Sequence, residues 1–517
     1  MLLLIIGLGI VLRVLFFPHI PPGLNQDEAS AAYEAYSLLL TGQDRWGNPW
    51  PIYFPSWGSG QNVLYSYLSI PAIWLWGLNL FTTRLVNLVF GILTLPLLYL
   101  CVRSVFNRRI ATLSTLLLAV LPWHVMMSRW GLESNILPFF LLLGTYTVHL
   151  ALKAPQPKAW IVFALVPWAV CFYAYGTSLL LVPPLLLLIG VSYRRQILRH
   201  KLLWSGALGL FLLLALPFLL FILKNNILHH PLGVEQMLPF SIPMLNAQRA
   251  EQIDASFLER LIPNIHLLLN GFGDDRIWNS PQYFLPLGII VFPLLGVGLA
   301  QVSRQPESAN LLGLWLWAGL PLFLMVPLNV NRVNGLLLPI IVLSVVGFEA
   351  LRQAIAAPEI RQMLVRLTAI WLALNTCLFS GYYLSSAYSE QAADDFRVGF
   401  DQALDMGVAI ASPTEALYVT ETIPLNYMYV LFWRQVSPHD FQTQARYSLT
   451  PDGKFAVHRW QQFYFDQPSL QNSLQPTFVY ILKANEPALC PEAPLYQIQA
   501  WQVGRCSKTT ATFRDNP

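Results

Sequence analysis

Long apolar runs separated by short polar stretches dominate the first 385 residues. A helix that crosses a bilayer needs about 20 mostly apolar residues, with roughly 17–25 as the working range. We expect about eleven membrane-spanning helices: 1–17, 82–105, 110–127, 135–152, 159–175, 177–193, 203–223, 284–302, 310–326, 335–351 and 366–385. The pair 159–175 and 177–193 is short and contains proline, so a re-entrant hairpin is an open alternative there, and it leaves the topology unchanged.

The apolar stretch 62–80 has two interpretations, a twelfth span or a helix lying in the membrane interface. Asn62, Ser66 and Ser69 are polar, and the aromatic residues of the stretch are of the kind found at membrane surfaces. We therefore predict a juxtamembrane helix here.

The composition agrees with a polytopic membrane protein. Charged residues make up 11% of the 517 residues, against roughly 25% in ordinary globular proteins, and apolar residues make up 55%. A soluble fold of this size could not cover its surface, which excludes cytosolic enzymes and disordered chains. The net charge of +4 is small and the basic residues are scattered, so we expect no nucleic-acid partner.

The distribution of lysine and arginine predicts the orientation. Five loops on one side, at 103–109, 153–158, 194–201, 304 and 352–366, together hold 13 basic residues, and the acids within or beside them are Glu307, Glu349 and Glu359. These loops should be cytoplasmic. The N-terminus is then cytoplasmic, the longer and more acidic loops lie outside, and the chain is a multi-pass protein of the plasma (inner) membrane.

Beyond residue 385 the hydropathy falls and 13 of the 27 acids appear. This part, 386–517, reads as a small extracytoplasmic α/β domain that follows the membrane domain 1–385. Cys490 and Cys506 lie in it, where oxidation is permitted, and we predict a disulfide between them. The predicted elements are a helix at about 392–411 and β-rich runs at 415–422, 427–433, 477–483 and 495–503.

The first outer loop, 18–81, carries the strongest chemical signal. Residues 23–41 read GLNQDEASAAYEAYSLLLT, and the apolar positions from Ala29 onward recur at helical spacing. Asn25 suits the N-cap, with Glu28 three residues later as in a capping box. Asp27 is not needed for the box, although compensation of the helix dipole would also explain it.

The same loop continues as DRWGNPWPIYFPSWGSGQN over 44–62. Aromatic and glycine residues at a membrane surface are typical of an interfacial belt with tight turns. They are also what a sugar face and a close backbone approach require, so Trp57 and Gln61 are candidates for binding substrate.

These features together resemble a known family. The order is a span, Asp-Glu at the head of a juxtamembrane helix, a second juxtamembrane helix, and F-x-x-R-L from Phe81 to Leu85 at the head of the next span. It resembles the type C glycosyltransferases, and within them the protein O-mannosyltransferase and lipid A aminoarabinose transferase group. The resemblance covers roughly residues 1–350 and is strongest over 20–150.

The resemblance implies a role for several residues. Asp27 matches the catalytic aspartate of the family's first loop, where a carboxylate serves as base toward the acceptor hydroxyl. Transfer from a polyprenyl phosphate also leaves a phosphate that needs cationic or dipolar stabilisation. The further positions implied in substrate binding are Glu28, Arg84, Arg129, Glu133 and Arg332.

The chain departs from the family where a metal is concerned. In the aminoarabinose enzymes an acid before the second juxtamembrane helix helps to bind a metal, whereas Gln61 and Asn62 stand at that position here. His229 and His230 lie in the long outer loop 224–283 without a nearby acid. We therefore assign no metal ligand and no certain cofactor, and a divalent metal stays an open alternative.

The sequence thus predicts an integral-membrane glycosyltransferase. It would move a hexosyl or pentosyl group from a polyprenyl-phosphate donor to a hydroxyl of a lipid, glycan or protein acceptor, at the outer face of the lipid bilayer. The alternative is a lipid or polysaccharide transporter or flippase. Transporters commonly show internal repeats and acids at mid-membrane, and this chain shows neither.

Overall fold

The computed structural model describes residues 1–56, 60–156, 158–228, 233–237, 240–245, 257–274, 276–281, 284–288, 290–304, 310–450, 455–490, 494–509 and 511. Its first part is mostly helical. The helices are α1 (Leu2–Val14), α2 (Gln26–Thr41), α3 (Leu64–Trp76), α4 (Leu80–Val105), α5 (Arg108–Val120), α6 (Pro122–Met127), α7 (Leu137–Lys153), α8 (Val166–Ala174), α9 (Ser178–Ser192), α10 (Arg194–Arg199), α11 (Lys201–Ile222), α12 (Phe257–Leu269), α13 (Val291–Val302), α14 (Asn310–Ala318), α15 (Leu320–Met325), α16 (Val330–Ala354) and α17 (Pro358–Tyr383).

Short elements connect these helices. Two 3-10 helices, Glu133–Ile136 and Ala159–Phe163, precede α7 and α8, and a π-helix, Leu223–Ile227, extends α11. Two small antiparallel hairpins occur in the loops: β1 (Tyr53–Phe54) with β2 (Gln61–Asn62), and β3 (Gly233–Met237) with β4 (Phe240–Met244).

Within the described residues, five helices are long and apolar enough to cross a bilayer: Leu80–Val105, Glu133–Lys153, Lys201–Ile227, Val330–Ala354 and Pro358–Tyr383. Five further apolar helices are shorter: Leu2–Val14, Ala159–Ala174, Ser178–Ser192, Val291–Val302 and Asn310–Met325. The predicted segment 110–127 is divided into α5 and α6 at Leu121, whose backbone is extended before Pro122.

The stretch 62–80 forms α3, a 13-residue helix that ends at Gly77. Trp74 and Trp76 are exposed at its end, as expected for a helix at a membrane surface.

Helix α16 lies at the centre of the membrane part. In its most apolar stretch 89% of the residues are buried, whereas in that of α17 only 6% of the residues are buried. Its closest neighbour is α13. A Cβ atom on Gly298 would lie 1.9 Å from the carbonyl oxygen of Leu343, and one on Gly347 would lie 1.9 Å from that of Leu294. Glycine at both positions therefore allows the two backbones to touch.

The chain after α17 contains helices and a mixed sheet. Its elements are α18 (Ser386–Ala392), α19 (Phe400–Ile410), β5 (Ala416–Val419), α20 (Asn426–Trp433), α21 (Pro438–Gln444), β6 (Arg446–Leu449), β7 (Phe455–Trp460), β8 (Phe463–Tyr464), α22 (Gln467–Gln471), β9 (Thr477–Lys483), β10 (Leu495–Ile498) and β11 (Trp501–Ser507). The seven strands lie in the order β10-β11-β9-β5-β8-β7-β6, and β5 runs parallel to both β8 and β9. The predicted Cys490–Cys506 disulfide is present.

One predicted strand is wrong. Residues 427–433 form helix α20, which is buried on nearly every side. Aromatic and β-branched residues fit a buried helix as well as a strand, so a short apolar run does not distinguish the two. The predicted helix 392–411 also begins later, at Phe400, because Gly399 has a positive φ of 80° there.

Helix α2 packs between the membrane part and the sheet-containing part. The backbone N–H of Leu24 donates to the carbonyl of Phe396, and the Tyr33 hydroxyl donates to the carbonyl of Val436 over 3.0 Å. The loop after α2 is also held, because the Trp46 ring stacks on Phe455 with centroids 4.1 Å apart. Both parts of the molecule therefore fix the position of this helix.

Candidate active site

Helix α2 begins as the sequence predicted. The Asn25 side-chain oxygen accepts a hydrogen bond from the backbone N–H of Asp27, and the Glu28 carboxylate accepts one from the backbone N–H of Asn25 over 3.1 Å. This capping box turns Glu28 back toward the start of the helix.

Glu28 forms a bidentate ion pair with Arg84 at the head of α4. The Nε–Oε1 and Nη2–Oε2 distances are both 2.7 Å, and neither side chain is exposed. The backbone N–H of Gly131 donates to the same carboxylate over 2.7 Å. Glu28 therefore joins α2 to α4 and to the loop before α7, and we call these contacts the Glu28–Arg84 clip.

Arg84 has no N–H group left for another ligand in this arrangement. Its remaining donors go to the backbone carbonyls of Pro18, Pro21 and Gly23. A guanidinium has five N–H groups, and all five are used. Binding of a phosphate by Arg84 stays a prediction, and it would require some of these hydrogen bonds to be exchanged.

Arg129 and Glu133, the basic and acidic positions of the next loop, are also buried. Arg129 donates to three carbonyls at the C-terminal end of α1 and to the carbonyl of Ile20. Its guanidinium also lies 5.6 Å from the centre of the Tyr383 ring. In this structure Arg129 closes the end of α1, and its predicted contact with substrate stays a prediction, as does that of Glu133.

Asp27 is placed differently from Glu28. The side chains of successive helix residues point about 100° apart, so the two acids face different surroundings. Asp27 is partly exposed to solvent, whereas Glu28 is buried. The segment before α19 lies beside it, since the Asn25 side chain donates to the carbonyl of Asp395. The negative charge of Asp27 contributes to raising the pKa of Tyr429 on α20, behind the larger effect of burial.

A second buried ion pair, which the sequence did not point to, lies further along α2. Arg45 contacts the Glu34 carboxylate at 3.3 Å, and neither side chain is exposed. The Arg45 backbone N–H also donates to Glu34 over 2.9 Å. Burial raises the pKa of Glu34 to about 8 and that of the neighbouring Asp44 to about 6.

Gln61 belongs to the same network. Its side-chain oxygen accepts a hydrogen bond from the Ser30 hydroxyl over 3.1 Å, and Ser30 in turn accepts one from Arg45 over 2.8 Å. Gln61 lies on strand β2 and is only 5% exposed. Its hydrogen bond with Ser30 therefore ties the β1–β2 hairpin to α2. Trp57, the other candidate in this loop, lies outside the described residues.

Arg332 lies elsewhere, in a basic cleft of about 740 Å³ between α12 and the start of α16. Arg276 and His266 line the same cleft. The backbone of Arg332 is fixed by the Asn329 cap over 2.9 Å, and one of its guanidinium N–H groups donates to the carbonyl of Pro327. Asp274, which also lines the cleft, accepts a hydrogen bond from the backbone N–H of Val330 over 3.0 Å.

Two tryptophan rings connect this cleft to the Glu28–Arg84 clip. The Arg276 guanidinium lies 5.8 Å from the Trp278 ring, and that ring lies 6.4 Å from the ring of Trp130. Trp130 directly precedes Gly131, which donates to Glu28. The basic cleft is therefore linked to the start of α2 through these two rings and the Trp130–Gly131 segment.

The described residues contain no group of three or more His, Cys, Asp or Glu side chains suited to a metal ion. At the position where the aminoarabinose enzymes carry a metal-binding acid, Gln61 is already bonded to Ser30. His229 and His230 lie outside the described residues.

Comparison with known proteins agrees with this arrangement. Residues 63–221 match the family model described as dolichyl-phosphate-mannose-protein mannosyltransferase. The match covers less than a third of the chain. No curated protein matches the chain.

Two solved structures share the fold. ArnT from Cupriavidus metallidurans is 14% identical over 99% of each chain, with a TM-score of 0.59 when bound to undecaprenyl phosphate and 0.57 in the apo state. The oligosaccharyltransferase of Archaeoglobus fulgidus, in complex with Zn and sulfate, is 14% identical over 84% of this chain and 61% of that chain, with a TM-score of 0.53. At these identities the likeness to the solved structures establishes the fold alone, and the family match over residues 63–221 is what bears out the resemblance to the mannosyltransferases.

Proposed function

We propose that the protein is an integral-membrane glycosyltransferase that moves a sugar from a polyprenyl phosphate to an acceptor hydroxyl. The observation that carries the proposal is the head of α2, where the Glu28–Arg84 clip fixes the helix and leaves Asp27 partly accessible. The ArnT fold, seen with undecaprenyl phosphate bound to that protein, supports a lipid-linked donor.

The reaction is a single displacement at the anomeric carbon. The acceptor oxygen forms a bond to that carbon while the bond from the carbon to the phosphate oxygen breaks. Asp27 takes the proton of the acceptor hydroxyl, and the polyprenyl phosphate leaves with its electron pair. A carboxylate within reach of the acceptor hydroxyl is suited to this task, because it accepts the proton as the new bond forms.

The leaving phosphate needs positive charge, and the basic cleft supplies it. Arg276, Arg332 and His266 line this cleft, and the Trp130–Trp278 contact links it to the loop that binds Glu28. Cations that are already oriented when the phosphate acquires charge lower the barrier most effectively. We therefore propose Arg276 and Arg332 as ligands of the donor phosphate, with Arg84 orienting α2 through Glu28.

The protein has a proposed orientation in the membrane. The positive-inside distribution supports a protein of the inner membrane with eleven spans, a transferase domain 1–385 and a domain 386–517 on the extracytoplasmic side. The contacts of α2 with Phe396 and Val436 agree with this, since they require the first loop and the sheet to lie on one side. The assay below distinguishes a hexose donor from a pentose donor.

The test is a transfer assay with purified protein in lipid nanodiscs. Undecaprenyl-phosphate mannose and undecaprenyl-phosphate arabinose, radiolabelled in the sugar, are incubated with a membrane extract as acceptor, and the label is followed out of the lipid fraction. We expect wild-type protein to release label from one donor and Asp27→Asn not to. Movement of intact labelled donor across a vesicle bilayer, without cleavage, would instead support the flippase alternative.

A further inference from the structure

A second cleft lies in the sheet-containing part, away from the residues assigned above. It has a volume of about 540 Å³, within the range of about 300–1,000 Å³ usual for small-molecule sites. Its lining comes from the segment after β5, the segment after β8, and the start of β7: Glu421, Ile423, Pro424, Leu425, Asn426, Tyr427, Phe455, Ala456, Val457, His458, Phe465, Asp466, Pro468, Ser469 and Asn472.

The topology explains why a cleft forms here. Strands β5 and β8 are parallel neighbours, so their carboxyl ends lie at the same edge of the sheet. The chain leaves them toward opposite faces: Leu417 and Val419 share a buried cluster with α20, whereas Ala416 and Tyr418 share one with Leu470 of α22. A crevice at such a topological switch point is the usual place for a ligand in an α/β sheet.

The wall of the cleft is held in place by hydrogen bonds. His458 Nδ1 lies 2.7 Å from Asp466 Oδ2, and its Nε2 lies 2.7 Å from the Ser448 hydroxyl. Asp466 also caps α22 through the backbone N–H of Ser469 over 2.7 Å. Because Ser448 lies on the exposed strand β6 and is not part of the lining, these residues act as a fixed polar wall and not as a hydrolytic triad.

The lining selects the chemical class of ligand. Among the residues that the structure describes, it contains two carboxylates, Glu421 and Asp466, and no lysine or arginine, so these side chains favour a neutral or amino ligand over a phosphate or a uronic acid. Carboxylates accept hydrogen bonds from hydroxyl and amino groups, and the rings of Tyr427, Phe455 and Phe465 offer apolar surfaces. Hydroxyl or amino groups beside apolar C–H faces describe a neutral or amino sugar.

Two residues of the cleft also touch the first loop. Phe455 stacks on Trp46 at 4.1 Å, and the Tyr427 ring faces the Arg45 guanidinium at 6.0 Å. A ligand in the cleft would therefore be bound by the same aromatic cluster that fixes the loop after α2. This loop follows the C-terminal end of α2, about 20 Å along the helix from Asp27, so the continuity favours an extended acceptor that reaches from the cleft to Asp27.

We propose that this cleft binds a neutral or amino saccharide portion of the acceptor. The assignment to the acceptor rests on the proposed glycosyltransferase function, whereas saccharide binding does not. The test uses full-length protein in nanodiscs and ligand-observed NMR, with maltotriose, mannotriose and glucosamine disaccharide as probes and trigalacturonate as the anionic comparison.

The variants are chosen so that folding survives. Glu421 and Asn472 are exposed, so Glu421→Gln and Asn472→Ala should keep the wild-type melting temperature. Glu390→Gln, an exposed acid on α18 outside the cleft, is the matched control. We expect at least one uncharged or amino probe to bind, Glu421→Gln to weaken it about tenfold through loss of a hydrogen bond to a charged group, and the control to leave it unchanged.

Three results would overturn the proposal: no binding of any probe, binding that Glu421→Gln and Asn472→Ala leave unchanged, or a preference for trigalacturonate. Competition of the bound saccharide with undecaprenyl-phosphate mannose would also overturn it, because the occupant would then be the donor sugar. Glu421-dependent binding without any transfer would reject the transferase function while retaining the cleft. Transfer without Glu421-dependent binding would reject the saccharide cleft while retaining the transferase function.

Discussion

The Glu28 carboxylate and the Arg84 guanidinium meet through two contacts of 2.7 Å in the interior of the protein, with no exposed side-chain surface on either residue. Fifty-six positions separate the two residues in the chain. The contact ties the start of α2 to the start of α4, so the position of Asp27 depends on a pair that itself does no chemistry in our proposal. This dependence separates the effects expected at the two adjacent acids.

Loss of Glu28 should mainly destabilise the protein. Glu28→Gln leaves the buried Arg84 charge uncompensated, and breaking a buried pair in this way typically costs about 3–5 kcal/mol. We expect a clear fall in the melting temperature of Glu28→Gln in nanodiscs. The double variant Glu28→Gln/Arg84→Met should recover part of that loss, and additive losses in the double variant would contradict the pairing.

Asp27→Asn should behave in the opposite way. Asn keeps the size of the side chain and loses only an interaction with the helix dipole worth about 0.3–1 kcal/mol, so the melting temperature should fall little. Removal of the base should lower the rate of transfer about 10²–10⁴-fold. Single-turnover assays with labelled donor, together with a donor-binding measurement, would check this, and full turnover by Asp27→Asn would remove the catalytic assignment.

The basic cleft should determine affinity for the donor. Arg332→Met and Arg276→Met each remove a hydrogen-bonded charge, which is worth about 1.5–3 kcal/mol, or roughly 10- to 100-fold in donor binding. Arg434→Met, at a solvent-exposed ion pair with Asp405, is the control and should bind donor normally. Unchanged binding in both cleft variants would place the phosphate elsewhere, with Arg84 as the next residue to examine.

The Glu34–Arg45 pair predicts a dependence of stability on pH. Burial raises the pKa of Glu34 from 4.5 to about 8 and that of Asp44 from 3.8 to about 6. Between the ordinary and the raised pKa the folded state holds a proton that the unfolded state has lost, so stability falls as pH rises through this window. Between pH 6 and 8 the decrease comes mainly from Glu34 and is at most about 1.4 kcal/mol per pH unit.

Melting temperatures between pH 5.5 and 8.5 would measure this effect. We expect the wild type and Glu390→Gln to lose stability as pH rises and Glu34→Gln to show a flatter profile from pH 6 to 8. An unchanged slope in Glu34→Gln would mean that Glu34 is ionised throughout and paired with Arg45.

The Cys490–Cys506 disulfide should contribute to the stability of the sheet. It closes a loop of about 15 residues, worth around 3 kcal/mol in the chain-entropy model. Reductant should lower the melting temperature of the wild type and leave a Cys490→Ser/Cys506→Ser variant unaffected. Alkylation of both cysteines in unreduced protein, read by mass spectrometry, would show that the bond does not form.

The sequence by itself determined the features that depend on neighbouring residues. Apolar runs of membrane-spanning length, the capping box at Asn25 and Glu28, and a helix within 62–80 are all local, because each is fixed by residues within a few helical turns. The strands β5 and β9 could also be anticipated from alternation and composition, whereas the single run predicted at 495–503 is divided into the antiparallel strands β10 and β11. The run 427–433 could not, since its residues satisfy a buried helix and a strand equally.

The tertiary structure decided what each charged residue does. Arg84 could be recognised as important from the sequence. However, it donates its five hydrogen bonds to Glu28 and to backbone carbonyls more than 60 positions away, and no local pattern encodes these partners. The Glu34–Arg45 pair and the cleft beside His458 and Asp466 likewise arise where distant segments meet. Burial of a charge depends on the whole fold, because every element that surrounds it must exclude water, and the order of residues along the chain does not specify that enclosure.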